Sequence, residues 1–214
     1  MKTRDRILSV SLALFNEDGE EDQSALDIAN ALEISPGNLY YHFKGKDAII
    51  HALFDRFEEE MMIILNGSRG PLETLEDYWL FFYILLEEIY DFRFFYRALG
   101  IMLDRYPDLA IRFRKLSKAI RQAIRAKLDA LLETGERKID KETRTLILDQ
   151  MMLNLTHWLS DDMLQGGGTT AEPRLIHKTV YQICSLAVPY LRVDPSELQA
   201  DVLAEYRYMI GKVG

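Results

Sequence analysis

Apolar residues recur along the chain at the three- and four-residue spacing of helices. Near the N-terminus, one face is formed by Ile7, Ser11, Leu14 and Phe15. A longer stretch repeats the pattern with Phe113, Leu116, Ile120, Ile124, Leu128 and Leu131. Residues three or four apart share one face of a helix, so both stretches predict amphipathic helices. No segment shows a convincing two-residue alternation, which favours an all-α fold.

Polar segments and segments containing Gly or Pro interrupt this pattern and divide the chain into about ten predicted helices. The breaks fall at residues 17–22, 34–37, 66–71, 106–107, 135–140, 166–170 and 192–195. Ser35-Pro36 and Asp194-Pro195 each place a capping side chain before a proline, which marks a helix start. A helix from Lys46 towards Leu65 has no Gly- or Pro-rich linker before it. We expect this helix to couple the N-terminal part to the rest of the chain.

The first fifty residues predict a helix-turn-helix. Helices are expected at 3–16, 24–32 and from Pro36 to about Phe43, with a short turn between the second and the third. Leu39 and Phe43 lie one turn apart and are predicted to pack inward. Their expected partners on the second helix are Ile28, Ala29 and Leu32. The opposite side of the third helix then carries Gly37, Asn38, Tyr41 and His42.

Each outward residue has chemistry that suits a DNA groove. Gly37 allows close approach of the backbone, and Asn38 can pair with an adenine edge. The Tyr hydroxyls and His42 can donate to phosphate oxygens, while Lys44 and Lys46 supply positive charge. The alternative is that the aromatic side chains form an ordinary amphipathic surface.

The chain carries 34 acidic and 26 basic residues, a formal net charge of −8, so its overall field repels polyanions. The first fifty residues contain five basic and nine acidic residues, a net charge of −4. Binding to nucleic acid must therefore be local. Because residues 17–22 would form the loop after the first helix, we expect their negative charges to lie away from the groove.

Three segments resemble the DNA-binding domain of TetR/AcrR-type repressors. They read RDRILSVSLALFNEDG, ALDIANALEI and ISPGNLYYHFKGKDAII. The resemblance implies that Asn38 and Tyr41 face bases or backbone, that Tyr40 and His42 lie against phosphates, and that Lys46 clamps the backbone. The full implied DNA-binding set is Thr3, Arg4, Ser24, Ala25, Ser35, Gly37, Asn38, Tyr40, Tyr41, His42, Lys44 and Lys46. Three residues depart from the pattern: Ser11 replaces Ala, Ala25 replaces a hydroxyl residue, and Glu33 replaces Gly.

The same resemblance divides the chain into a DNA-binding domain, residues 1–47, and a larger helical domain for effector binding and dimerisation, residues 48–214. YDFRFFYRALGIMLDRYPDLAIRFRKL also resembles the C-terminal region of an uncharacterised branch of these repressors. Helices at 71–91, 94–104, 107–134 and 140–164 would enclose an effector pocket. Its predicted lining is Trp79, Phe82, Tyr83, Phe95, Met102, Phe113, Met151, Asn154, His157 and Trp158. The alternative for most of these residues is ordinary core.

Helices at 140–164 and 172–191 are apolar on wide faces, more than one subunit core plainly needs. A two-fold four-helix interface, as the resemblance implies, would bury them. The predicted interface residues are Leu155, Leu159, Leu175, Val180, Ile183 and Leu186. A basic run from Arg112 to Lys127 is expected to be a solvated helix face, with attraction of a polyanion or an acidic ligand as the alternative.

Enzymatic readings are weak. SDDMLQ resembles an Asp-Asp-x-x-Asp metal motif, but Gln165 replaces the last Asp, and the pair His157 and Asp161 alone does not define a metal site. We predict no catalytic residues, no metal and no cofactor. A helix-turn-helix protein whose main partner is another protein is the remaining alternative.

The single cysteine, Cys184, excludes an internal disulfide, and the N-terminal residues lack the pattern of a signal peptide. The longest apolar run, Tyr78 to Leu86, is too short to cross a membrane. We therefore expect a cytoplasmic protein without membrane contact. The sequence predicts a ligand-responsive regulator, a repressor that binds a palindromic DNA operator as a homodimer and responds to a largely apolar small molecule.

Overall fold

The computed structural model describes residues 2–67, 75–133, 139–164 and 172–191, and all regular secondary structure in these ranges is helical. The predicted all-α fold is confirmed. The helices are α1 (Thr3–Asp18), α2 (Ala25–Ala31), α3 (Pro36–His42), α4 (Lys46–Gly67), α5 (Leu75–Asp91), α6 (Phe94–Arg97), α7 (Leu99–Arg105), α8 (Pro107–Glu133), α9 (Lys141–Leu164) and α10 (Glu172–Ser185). No helix in these ranges is long and apolar enough to cross a membrane.

Two predicted helices differ from the structure. The helix expected at 94–104 is wrong, because the backbone breaks at Ala98 and gives two short helices, α6 and α7. The helix expected at 172–191 ends at Ser185 and is followed by a 3-10 turn, Val188–Tyr190. Pro189 accounts for this early end, because proline has no backbone N–H to continue the ladder. The predicted start at Asp194-Pro195 lies outside the described residues.

Contacts divide the chain into two compact units that are not contiguous in sequence. The first contains residues 1–63 and 91–114, and the second contains residues 64–90 and 115–214. In the first unit, α1, α2 and α3 pack around a buried core. This core contains Ile7, Leu8, Phe15, Ile28, Ala29, Leu32, Leu39 and Phe43.

An aromatic cluster fills the rest of the first unit. The ring of Phe54 meets Phe95 edge-to-face, with ring centroids 5.4 Å apart, and lies 5.6 Å from Phe113. Phe57 contacts the same two rings and Phe92 as well. Such pairs add about 0.5–1.5 kcal/mol each beyond their buried area.

Asn16 fastens the end of α1 to the start of α6. Its side-chain amide donates to the carbonyl of Asp91 at 2.7 Å, and its side-chain oxygen accepts from the backbone N–H of Phe94 at 3.1 Å. Arg97 donates to the Asn16 carbonyl at 2.6 Å. A buried asparagine thus satisfies two backbone groups at a bend between helices.

In the second unit, α9 packs against α10. The packing buries Leu155, Leu159, Leu175, Val180 and Ile183, each 5% exposed or less, and Leu186 is half-buried. The sequence pattern predicts these residues at a subunit interface. The structure corrects this assignment for the five buried residues, because they form the core of the chain itself. The large apolar residues that remain exposed on α9 are Leu146, Leu153, Met163 and Leu164.

Candidate nucleic-acid interface

The two helices of the helix-turn-helix are each started by a serine. The Ser24 hydroxyl accepts from the backbone N–H of Asp27, and the Asp27 carboxylate accepts from the backbone N–H of Ser24, which forms a capping box. The hydrogen bonds from Ser24 lower the pKa of Asp27. Ser35 caps α3 by accepting from the backbone N–H of Asn38 at 3.2 Å, with Pro36 at the first helical position. Both hydroxyls therefore hold the helices in place.

The turn between α2 and α3 is closed by Glu33, which has a φ of 55°. The N–H of Ile34 bonds to the Ala29 carbonyl at 3.0 Å, and the N–H of Glu33 bonds to the Asn30 carbonyl at 3.0 Å. This is the Schellman pattern, in which Gly usually takes the left-handed position. The position where Glu33 replaces the usual Gly thus has a left-handed backbone conformation. Glu33 adopts this conformation at a cost of about 1–2 kcal/mol.

The predicted inward and outward faces of α3 are confirmed. Leu39 and Phe43 are buried, whereas Tyr41 is 79% exposed and Tyr40 is 57% exposed. Gly37 and Asn38 are exposed, and His42 is half-buried with its ring edge-on to Tyr41 at 5.2 Å. A short helix held from below by two apolar side chains therefore presents two unburied tyrosines and an asparagine to solvent.

Two cationic side chains lie against aromatic rings near the end of α3. The guanidinium of Arg4 lies over the Phe43 ring at 4.9 Å, and the Lys44 ammonium lies over the Tyr40 ring at 4.7 Å. Such contacts orient a cation while leaving it charged. Thr3 is half-buried at the start of α1, and Ala25 is half-buried at the start of α2.

Lys46, the first residue of α4, is engaged within the chain. Its ammonium contacts the Glu20 carboxylate at 2.8 Å and donates to the Glu20 carbonyl at 2.8 Å. The sequence predicts that the acidic loop, residues 17–22, lies away from the groove. One of its residues, Glu20, is buried against Lys46, which is expected to flank that groove.

The basic run on α8 is partly engaged in contacts with the rest of the chain. Arg112 pairs with Asp55 and Glu58, and Arg121 pairs with Asp149. Lys127 is buried with its ammonium over the Phe81 ring, and this burial lowers its pKa. The exposed cations of the run are Arg114, Lys115, Lys118 and Arg125.

The predicted effector-pocket residues fall into three groups. Phe95, Met102 and Phe113 belong to the first unit, where all three are buried and the two phenylalanines lie in the aromatic cluster. In the second unit, Phe82 and Met151 are fully packed. Trp79 and Tyr83 face the His177 ring, with centroids 5.6 and 4.9 Å away.

The third group shares a cavity. Asn154, His157 and Trp158 line a space of about 290 Å³ between α9 and α10. The remaining lining residues are Leu153, Asp161, Leu175, Lys178, Thr179 and Gln182. The Trp158 indole N–H is buried and has no hydrogen-bond partner among the residues that the structure describes. Asp161 and His157 do not join a third ligand, and within the described ranges no group of acidic, His or Cys side chains could hold a metal ion.

No local sequence pattern marks Asn16, Glu20 or His51 as important. Each acts through a partner far away in sequence, such as Asp91, Arg105 or Asp108. A local pattern contains no signal for such pairings.

Two family descriptions match the chain in order. Residues 7–53 match "Bacterial regulatory proteins, tetR family", and residues 56–198 match TetR, described as "Bacterial transcriptional repressor". The chain belongs to the TetR family. It is accordingly a DNA-binding transcriptional regulator of the ligand-responsive repressor type.

Individual proteins agree with this placement. The chain is 29% identical over 168 residues to the HTH-type transcriptional regulator UidR of Escherichia coli K12. The matched region covers 75% of this chain and 81% of UidR. It is 28% identical over 109 residues to IcaR of Staphylococcus aureus, a negative regulator of the biofilm operon icaADBC, covering 49% of this chain and 55% of IcaR. A solved TetR-family regulator from Marinobacter aquaeolei VT8 is 33% identical, with a TM-score of 0.81, and covers 97% of this chain and 98% of that protein.

Proposed function

We propose that this TetR-family protein represses transcription by binding a palindromic operator as a homodimer, with α3 of each subunit in a major groove. The supporting observation is the geometry of α3, where Tyr41 and Asn38 are exposed while Leu39 and Phe43 hold the helix on α2. A helix-turn-helix reads bases with the residues at the start and middle of its second helix. Such a protein acts beside the chromosome, in the cytoplasm.

Within this proposal, residues 1–47 read the DNA. Asn38 and Tyr41 contact base edges, and Tyr40 and His42 contact phosphates. Arg4, Lys44 and Lys46 flank this face and hold the phosphate backbone. Because the whole chain carries a net charge of −8, affinity depends on this local arrangement.

Residues 48–214 provide the contact with the second subunit and the effector site. Leu146 and Leu153 are 58% and 53% exposed and lie two turns apart on α9. Large exposed apolar residues in register along one helix are typical of a subunit contact. A two-fold axis along this face would set the distance between the two α3 helices, which must reach grooves roughly 34–36 Å apart.

The cavity between α9 and α10 supports a small-molecule effector. At about 290 Å³ it is close to the lower end of the range for ligand pockets, about 300–1,000 Å³. Its lining combines Leu153, Leu175 and Trp158 with amide, hydroxyl and charged groups, so it suits a molecule with an apolar part and hydrogen-bonding groups. Leu153 lines this cavity and also lies, with Leu146, on the exposed face of α9, so a bound molecule would alter the surface that contacts the second subunit. A ligand would change operator affinity if it bound more tightly to one of two dimer arrangements that differ in the distance between the α3 helices.

Selection of bound sequences from a pool of random duplex DNA tests the proposal. We expect one enriched motif with two-fold symmetry and half-sites about one helical turn apart. Enrichment of a single asymmetric half-site would contradict the dimer. Absence of any enriched sequence would contradict DNA reading and favour a protein as the main partner.

A further inference from the structure

Glu20 is a buried carboxylate in an otherwise exposed acidic loop. Its side chain is 5% exposed. One carboxylate oxygen contacts the Lys46 ammonium at 2.8 Å and accepts from the Tyr106 hydroxyl at 3.1 Å, and the other accepts from Arg105 at 2.9 Å. The carboxylate thus binds a cation from α4, a cation from α7 and the hydroxyl of Tyr106, which follows α7. It raises the pKa of Arg105. Burial, followed by the charge of Glu20, raises the pKa of Tyr106.

Lys46 has little donor capacity left in this arrangement. Its ammonium carries three N–H groups. One bonds the Glu20 carboxylate and one bonds the Glu20 backbone carbonyl, both at 2.8 Å. Lys46 lies three residues after Phe43, at the start of α4. In the proposed function its ammonium binds a DNA phosphate.

A phosphate that approaches Lys46 therefore meets a neutralised ion pair. The Lys46 ammonium attracts the phosphate, but the Glu20 carboxylate beside it repels the phosphate, so the net attraction is small. A lysine that neutralises a DNA phosphate releases a cation condensed on the DNA, and this release makes affinity fall with salt. While Lys46 stays paired with Glu20, it neutralises no phosphate and releases no such cation.

We propose that Glu20 competes with DNA phosphate for the Lys46 ammonium and thereby limits the affinity of the protein for DNA of any sequence. The inference rests on the proposed phosphate contact of Lys46 and adds an internal competitor to it. Glu20 does not touch a base, so its effect is the same on operator and random DNA. The competitor keeps non-specific binding weak and leaves discrimination to α3.

The test replaces Glu20 by Gln in the full-length protein. The amide keeps the size of the side chain and an oxygen that can accept from Lys46 or Arg105, but removes the charge. We expect Glu20→Gln to bind a random-sequence duplex and the operator about three- to tenfold more tightly at low salt. The slope of log affinity against log salt should steepen by about one unit. Thermal unfolding establishes that the variant is folded.

Glu21→Gln is the matched control. It removes the same charge from the same loop, but Glu21 contacts Arg105 at 2.8 Å and not Lys46. We expect its DNA affinity to change by less than twofold. If Glu20→Gln does not fold, Glu20→Asp keeps the negative charge on a side chain that is one methylene shorter. This draws the charge back from the Lys46 ammonium and should give a smaller gain in the same direction.

A cycle with Lys46→Ala assigns the effect to the pair. Glu20→Gln should give no gain in DNA affinity when Lys46 is already Ala. An equal gain in both backgrounds, or a gain equal to that of Glu21→Gln, would overturn the competition. Lys46→Ala in the Glu20→Gln background tests the proposed phosphate contact without the competitor, because its failure to weaken DNA binding there would overturn that contact as well. A loss in Lys46→Ala without a gain in Glu20→Gln would overturn the competition only.

Discussion

His51 on α4 and Asp108 on α8 are joined by a hydrogen bond of 2.6 Å between Nε2 and the carboxylate. The other ring nitrogen, Nδ1, lies 2.7 Å from the backbone carbonyl of Asp47. Both partners accept hydrogen bonds and neither can donate, so both ring nitrogens must carry protons. His51 is therefore best accommodated as an imidazolium that ties α4 to the first turn of α8.

This arrangement predicts a pH-dependent stability. Burial alone would lower the pKa of His51, but the Asp47 carbonyl and the Asp108 carboxylate outweigh it and raise the pKa above its ordinary 6.5. A raised pKa stabilises the folded state fully below about pH 6.5, and this contribution is lost as pH rises through the folded pKa. The Asp47 carboxylate, which accepts from the Tyr106 hydroxyl, also raises the pKa of His51.

The measurement is urea unfolding of the wild type and His51→Gln from pH 5.5 to 9. The wild type should be more stable than the variant at acidic pH, and the difference should shrink as pH rises. Asp108→Asn, which removes the carboxylate partner, is the control. In its presence, the stability difference between the protein with His51 and the His51→Gln variant should depend less on pH. A gap that stays constant across the range would contradict the charged clamp.

Asn16→Ala should destabilise the first unit. The change leaves the Asp91 carbonyl and the Phe94 N–H without their side-chain partner, at roughly 1–3 kcal/mol for each buried group left unpaired. Asn30→Ala, an exposed asparagine on α2, is the control and should change the free energy of unfolding by less than about 0.5 kcal/mol. Equal stability of the two variants in chemical denaturation would show that the Asn16 bonds contribute nothing net.

Leu153→Glu should separate the proposed dimer without unfolding the chain. Leu153 is 53% exposed in a single chain, so a charge there is hydrated unless a second subunit covers it. We expect a monomer by sedimentation, with weakened operator binding. Leu155 lies two residues further along α9 and is buried in the core, at 2% exposure. Leu155→Ala should instead lower the free energy of unfolding by about 2–5 kcal/mol. A Leu153→Glu protein that remains a dimer would refute this face as the interface.

The helix-turn-helix could be predicted from sequence because its signals are local. Ser35 before Pro36 marks the start of α3, and Leu39 and Phe43 mark its inner face, all within nine residues. Helix starts, caps and amphipathic spacing depend on neighbours within one or two turns. The same information specified which side of α3 is exposed.

Contacts between distant segments were not predictable in this way. Glu20 looked like one of several surface acids, and only its meeting with Lys46 and Arg105 makes it a buried ion-pair centre. The sequence pattern predicted correctly that Leu155 and Ile183 are buried, but it did not show which residues cover them. A wide apolar face has the same sequence pattern whether the same chain or a second chain packs against it. No proline stands at the break at Ala98, so a search of the sequence for helix-ending prolines does not find it.

DNA affinity of variants on the exposed face of α3 tests the central claim most directly. Asn38→Ala leaves the helix cap intact, because Ser35 accepts from the backbone N–H of Asn38 and not from its side chain. Asn38→Ala and Tyr41→Ala should each weaken binding to the selected operator by roughly 1–3 kcal/mol in fluorescence anisotropy, while binding to random DNA changes little. Asn30→Ala should bind the operator like the wild type. If both α3 variants are folded and bind the operator as tightly as the wild type, α3 does not read the DNA and the account is wrong.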